Sequence, residues 1–334
     1  MSGIWKVFML CKVNAGTPFF IPGRSFGLFP DPVGKSNWPA LRTFPGSAHQ
    51  PALSYLPLLI LLSIMDFSFE PLPWSADSNI YEVNLRQYTT EGSFRAFEAH
   101  LPRLRDMGVE ILWFMPVTPI SLKGRLGSLG SYYACSDYLT TNPEFGSLED
   151  FKRLVQTAHQ FGFKVLIDWV ANHTGWDHRW TTEHPEFYRR NSDGNFFDAH
   201  GWQDVIDLNY DVPELRETMI RCMKFWVDEC AIDGFRCDMA MLVPLDFWKE
   251  ARTMIDRTRP LFWLAECEDL SYHAVFDISY TWKFLHSMED FRKNPVGLPG
   301  LYDVLQYSND QFPPQAMRAY FTSNQIGRAS CRAR

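Results

Sequence analysis

The sequence predicts an α/β protein built on a parallel sheet, either closed as a barrel or open and doubly wound. Three observations carry this. Short apolar runs alternate with segments of helical period from Asn79 to Thr322. One run, Val109–Phe114, is almost continuously apolar, the mark of a strand covered on both faces. Two others each deliver a carboxylate at their C-terminal end, Asp238 after Ala231–Cys237 and Glu266 after Leu261–Ala265. No G-x-G-x-x-G or G-x-x-x-x-G-K-[ST] follows any run, so a nucleotide-binding sheet has no support.

In chain order, Asn79–Asn84 alternates as a strand. A helix opens at Ser93 and ends near Gly108, with Phe94, Phe97, Leu101 and Leu104 on one face and Pro102 kinking it. After the strand Val109–Phe114, Ser147 caps a helix with Asp150 at its third position. Phe151, Leu154, Val155 and Ala158 follow at helical spacing and Gly162 stops the helix. Phe163–Asp168 is the next strand. The long connection that follows, about 174–211, is rich in Trp, His, Asp and Asn and reads as a small subdomain over a site. A helix from Pro213 turns Leu215, Met219, Cys222, Met223 and Trp226 inward. Then come the Asp238 strand, a helix near Pro244–Asp256, the Glu266 strand, an apolar run Ala274–Ile278, and a last strand at Ala319–Thr322.

The two ends differ from this pattern. Residues 1–65 contain one acidic residue, Asp31, many Pro and Gly, and no sustained period, so they are expected to be a poorly structured, non-native extension. The apolar run Leu56–Met65 is too short to span a bilayer and too far from Met1 for an ordinary signal peptide. A start at Met65 would make the protein cytoplasmic; an export signal at Leu56–Met65 would make it secreted or surface-held. Residues 325–334, basic and aperiodic, read as an artefactual tail, which leaves 66–324 as the folded domain.

Composition narrows the function. A net charge of −7 argues against a nucleic-acid or anionic-membrane surface, which needs a concentrated basic face. Aromatic residues make up 16%, with 12 Trp, enough for both core and flat stacking surfaces that suit the apolar faces of sugar rings. The cysteines, Cys11, Cys135, Cys222, Cys230, Cys237, Cys267 and Cys331, form no C-x-x-C pair, so free buried thiols are expected rather than a zinc site or disulfide framework.

The chemistry concentrates at Ala231–Asp238. Arg236 lies two residues before Asp238, and residues two apart on a strand face the same side, so the guanidinium can hold the carboxylate ionised. In a parallel barrel, consecutive strands are neighbours and their C-terminal ends open on one face. Asp238 and Glu266 would meet there.

Asp168-Trp-Val-Ala-Asn-His173, Asp207-Leu-Asn209, Gly234-Phe-Arg-Cys-Asp238, Glu266 and Phe321-Thr-Ser-Asn324 resemble, in order and spacing, the motifs of the α-amylase superfamily, glycoside hydrolase family 13. The resemblance covers about Ser78–Asn324. It implies a (β/α)8 TIM barrel with a loop subdomain after strand 3. That barrel would be incomplete, since the eighth strand-helix unit and the usual C-terminal β-sandwich are missing. It also implies a retaining reaction on α-glucosidic bonds of starch- or glycogen-type glucans or maltooligosaccharides. By this likeness Asp238 is the nucleophile and Glu266 the general acid/base. Arg236 and His173 contact the sugar and the nucleophile, and Asp168 supports the site from strand 3. Tyr133, in Gly130–Tyr138, matches an aromatic platform under the sugar, its alternative being a rim tyrosine packed on the barrel. His173 has the alternative of a core histidine.

Asn172 falls where many relatives bind calcium through the side-chain oxygen. However, Met239–Leu242 lacks the Lys-His pair that helps bind it, and calcium needs six or more oxygens. No cofactor is required, and Asn172 has the alternative of a structural hydrogen-bonding residue. Trp176, Trp180 and Trp202 are either sugar subsites or packing for the inserted loop. The third carboxylate of the family should follow Asn324, where this sequence has Gln325 and Ile326. That group grips sugar hydroxyls most strongly in the transition state, so this chain is expected to be inactive or nearly so. A transglycosylase such as a branching enzyme, or a sugar isomerase, is the near alternative. A non-catalytic carbohydrate-binding or ancillary relative would have lost the carboxylates that are present here.

Overall fold

The computed structural model describes residues 7–11, 72–294, 298–312 and 316–320, which fall in one compact unit. Leu56–Met65, Phe321–Asn324 and 325–334 lie outside the described residues. The elements are β1 (Val7–Cys11), β2 (Asn79–Val83), α1 (Leu85–Tyr88), α2 (Phe94–Glu98), α3 (Leu101–Asp106), β3 (Ile111–Phe114), α4 (Leu148–Gln160), β4 (Lys164–Trp169), β5 (His173–Gly175), α5 (Trp180–Glu183), β6 (Val205–Asp207), α6 (Pro213–Cys230), β7 (Gly234–Cys237), α7 (Leu245–Ile255), β8 (Phe262–Ala265), β9 (Ile278–Tyr280), α8 (Trp282–Lys293), α9 (Leu298–Gln311) and β10 (Met317–Tyr320).

Strands β2, β3, β4, β7, β8, β9 and β10 pair in that order, all parallel. β1 runs antiparallel between β10 and β2 and closes the barrel. Within the stretch 1–65, expected to be poorly structured, Val7–Cys11 forms a strand that is paired on both sides. Edge strands offer rows of free N–H and C=O groups, and the apolar run Val7–Cys11 satisfies both rows. Between β4 and β7, the antiparallel pair β5–β6 with α5 makes the inserted subdomain.

Local chemistry explains most boundaries. Ser147 and Asp150 form the expected capping box at α4, whose Phe151, Leu154, Val155 and Ala158 are all buried, and Gly162 follows at φ +80°. The helix expected from Ser93 to Gly108 is two helices. Pro102 has no N–H to offer the Glu98 carbonyl, so the break falls at Ala99–His100 while the four predicted apolar residues stay buried. The run Ala274–Ile278 becomes strand only at Ile278. Asp277 is buried against Arg252 (3.2 Å) and accepts from the Trp263 amide (2.8 Å), and the residues before it form a 3-10 turn. Helices α8 and α9 carry no strong periodic signal, and in α8 the buried residue is Leu285. Cys135, Cys222, Cys230, Cys237 and Cys267 are buried free thiols. No helix among the described residues is long and apolar enough to cross a membrane.

The strand period sorts the side chains. Ile80, Ile111, Leu166, Phe262, Leu264, Ile278, Met317 and Ala319 fill the barrel, while Tyr81, Val83, Leu112, Phe114, Val165, Ile167, Phe235 and Trp263 face the helices. Two residues further along β2, β3, β4, β7 and β9, the inward positions gain polar groups. Glu82, Trp113, Asp168, Arg236 and Tyr280 stand there, at the C-terminal ends, where a barrel builds its site.

Gly234 is where β7 presses on β8: a Cβ there would stand 1.9 Å from the Phe262 carbonyl oxygen. Gly234→Ala is therefore expected to cost about 3 kcal/mol, since backbone rather than a flexible side chain must yield. Urea unfolding of the two proteins checks it; equal midpoints would show that the strands separate freely.

Candidate active site

Arg236 is the hub. Its Nη1 donates to Asp168 Oδ1 (2.8 Å) and Asp238 Oδ1 (2.7 Å), and its Nη2 pairs with Glu266 Oε2 at 2.7 Å. Its Nε donates to the Tyr280 hydroxyl at 3.2 Å. The guanidinium lies over the Trp113 ring (4.9 Å) and beside that of Tyr280 (5.6 Å). The parallel register Asp168↔Arg236 on β4 and β7 sets this arrangement, and the two-residue period carries Asp238 to the same side. Asp238 and Glu266 follow directly on β7 and β8, and their amides extend the ladders to Trp169 and Cys237.

The turn after Asp238 completes the pair. Met239 adopts left-handed backbone, φ 41° and ψ 46°, a costly conformation for a side chain of this size. It aims the Met239 amide at Glu266 Oε2, 3.0 Å away. Burial, first, raises the Glu266 pKa; Arg236 and this amide oppose the shift, and the charge of Asp238 and a hydrogen bond with it add to it. Burial likewise raises Asp168 well above the ordinary carboxylate range, against the pull of Arg236. Three carboxylates thus share one cation, and burial favours the protonated form at both Asp168 and Glu266.

A cleft of about 350 Å³ opens above these groups, walled by Asp238, Glu266, Arg236, Tyr133 and His173 among others. Asp168 lies under this wall with a fully buried side chain, held by Arg236, Trp113 Nε1 (3.2 Å) and the Tyr133 hydroxyl (3.4 Å). It touches the groups that line the cleft rather than the cleft itself. Burial lowers the His173 pKa to about 4, so its imidazole is neutral at pH 7. Trp202 packs edge-on against it (5.3 Å) and lines the cleft, whereas Trp180 is buried against Tyr138 and Phe187 inside the subdomain. Trp176 is tied to the Gln203 carbonyl (3.0 Å) beside Lys123.

The sequence reading passed over Glu82, Trp113, Tyr280 and Trp282, which also line the cleft. Three sit on inward strand positions that a period-2 count would have flagged. Asn172 donates to Asp207 Oδ1 at 3.4 Å and lies beside His173 Nδ1 at 3.2 Å. Ala199 donates to Asp207 Oδ2, and the adjacent Asp198 keeps a buried Oδ1 with no hydrogen-bond partner. Asn172, Asp198 and Asp207 therefore form a polar corner with one unpartnered carboxylate oxygen. The three His and Glu side chains whose ligand atoms stand within 4.8 Å of one another among the described residues are His184, Glu186 and Glu214.

A family profile described as the alpha amylase catalytic domain matches residues 75–204 and 186–296. Alpha-amylase 3 of Dictyoglomus thermophilum is 27% identical over 236 residues, which are 60% of this chain and 45% of that protein. A maltosyltransferase of Burkholderia pseudomallei, named alpha-1,4-glucan:maltose-1-phosphate maltosyltransferase, is 31% identical over 202 residues, 54% of this chain and 17% of its own. The crystal structure of an alpha-amylase from Lactobacillus plantarum matches with a TM-score of 0.68 at 38% identity, over 70% of this chain and 60% of that one. The chain spans less than half the length of these two curated relatives.

Arg236→Leu would leave three carboxylates facing one another and is expected to cost about 3–5 kcal/mol in urea unfolding at pH 7. Glu266→Gln should do the reverse, raising Tm at pH 8 by about 2 °C. An acid whose folded pKa is raised contributes stability below its unfolded pKa and loses it as pH rises through the folded one. The advantage of Gln must therefore shrink towards acid pH. A Tm that falls on substitution at pH 8 would mean the contact with Arg236 outweighs the crowding.

Proposed function

The chain belongs to the alpha-amylase catalytic-domain family, and from that premise we propose that its cleft carries the nucleophile and the acid/base for cleaving α-glucosidic bonds of glucans or maltooligosaccharides by double displacement with retention. The observation that carries this is the pair of carboxylates on neighbouring nitrogens of one guanidinium, Asp238 on Nη1 and Glu266 on Nη2, each at 2.7 Å. A retaining pair stands about 5 Å apart, an inverting pair wider by a water molecule; the shared guanidinium favours the close spacing.

In the first step Glu266 gives its proton to the glycosidic oxygen as that bond to the anomeric carbon breaks. Asp238 attacks the same carbon from the other side and forms a glycosyl ester. Water then attacks, Glu266 takes back a proton, and the ester bond breaks with the sugar's configuration kept. The raised pKa of Glu266 suits the first half, and Arg236 balances the charge on Asp238 while it waits. Neutral His173 has an N–H for a sugar hydroxyl, and Tyr133 offers a ring face. A calcium ion at Asn172, Asp198 and Asp207 would brace the subdomain against the barrel, with no part in bond cleavage. Transfer to a second sugar instead of water would use the same intermediate, which the maltosyltransferase likeness keeps in view.

A glucosyl fluoride carrying fluorine at C5 needs no proton for departure and should leave a sugar ester on the peptide containing Asp238, seen by mass, with none on Asp238→Asn. Starch turnover by the 334-residue chain should stay near that of Asp238→Asn, because no carboxylate follows Asn324 at 325 or 326. An unlabelled Asp238 under saturating reagent would sink the proposed nucleophile; reducing sugar well above the Asn control would sink the expected inactivity.

A further inference from the structure

Strand β2 enters the barrel with Ile80, fully buried among Ile111, Leu166 and Phe262. The next inward residue is Glu82, 6% exposed, opposite Trp113 in the β2–β3 register. A carboxylate at this buried inward position carries a desolvation cost that an apolar side chain would not. Glu82 lines the same cleft as Asp238 and Glu266, and its charge reaches the hydroxyls of Tyr133 and Tyr280. A carboxylate is an acceptor only, and a sugar ring presents hydroxyl donors around its edge. Asp238 and Glu266 are committed to the bond being broken, and His173 supplies a donor.

We infer that Glu82 is a substrate-positioning residue that accepts a hydrogen bond from one hydroxyl of the sugar held beside Asp238 and Glu266, and so selects glucosides bearing that hydroxyl. The inference rests on the α-glucan reading of the cleft and goes beyond it in assigning a role to the first barrel strand. A hydrogen bond to a charged acceptor of this kind sets affinity by about ten- to a hundredfold.

The test is binding to the whole 334-residue chain, which does not require turnover. Maltotriose is titrated against the fluorescence of Trp113, Trp202 and Trp282, all in the cleft. Glu82→Ala should raise Kd about ten- to a hundredfold, and Glu82→Gln, which keeps an oxygen acceptor, by less than about fivefold. Against a panel of monodeoxy maltosides, wild type and Glu82→Ala should bind one member equally, the one lacking the hydroxyl that Glu82 holds. Glu82→Leu, which keeps most of the side-chain volume, repeats the measurement should the alanine variant fail to fold. An unchanged Kd in the folded variants, or a loss uniform across the panel, overturns the role of Glu82 and leaves the cleft's function standing. Wild type that binds no maltosaccharide overturns both.

Discussion

A single buried guanidinium, Arg236, holds Asp168, Asp238 and Glu266 within 2.8 Å, and the top of the barrel is arranged to make that crowding tolerable. Trp113 and Tyr280 cover its two sides, and Tyr280 takes its remaining Nε–H. Removing such a cation strands the charges it served, whereas removing one of three carboxylates relieves them. The register of β4 against β7 is what makes this possible: a slip of one residue would turn Asp168 and Arg236 to opposite faces and send Phe235 into the site.

The same crowding links stability to chemistry. Glu266 is kept apt for protonation by burial and by Asp238, and the left-handed backbone at Met239 holds an amide against it. Both features cost folding free energy, and they lie at the C-terminal ends of the neighbouring strands β8 and β7. A barrel optimised only to fold would have neither.

Much of this was legible in the sequence because it is local. The cap at Ser147, the stop at Gly162 and the pairing of Arg236 with Asp238 each rest on residues at most a helix apart. The inward positions of Trp113 and Glu82 follow from the strand period, but their residue types point away from a site, for a physical reason. In Ile-Leu-Trp-Phe a tryptophan reads as core, and this one does pack with Ile80 and Ile111; its Nε1–H given to Asp168 and the Arg236 guanidinium over its ring tie it to the site. Glu82, in Asn-Ile-Tyr-Glu-Val, reads as the wet side of an amphipathic strand, because in a closed barrel the wet side is the inside of the cleft. β1 escaped notice because its pairing is fixed by two distant edges and by nothing in its own neighbourhood.

That strand has a bearing on how the molecule is made. β1 leaves the ribosome first and holds its place by ladders to β2 and β10, yet the residues of β10, Met317–Tyr320, are among the last described ones to be synthesised. Throughout elongation the seam stays unsealed, with long-range closure entropy still outstanding. Until β10 appears, the nascent sheet keeps a rim of unpaired backbone groups that another extended polypeptide could pair with.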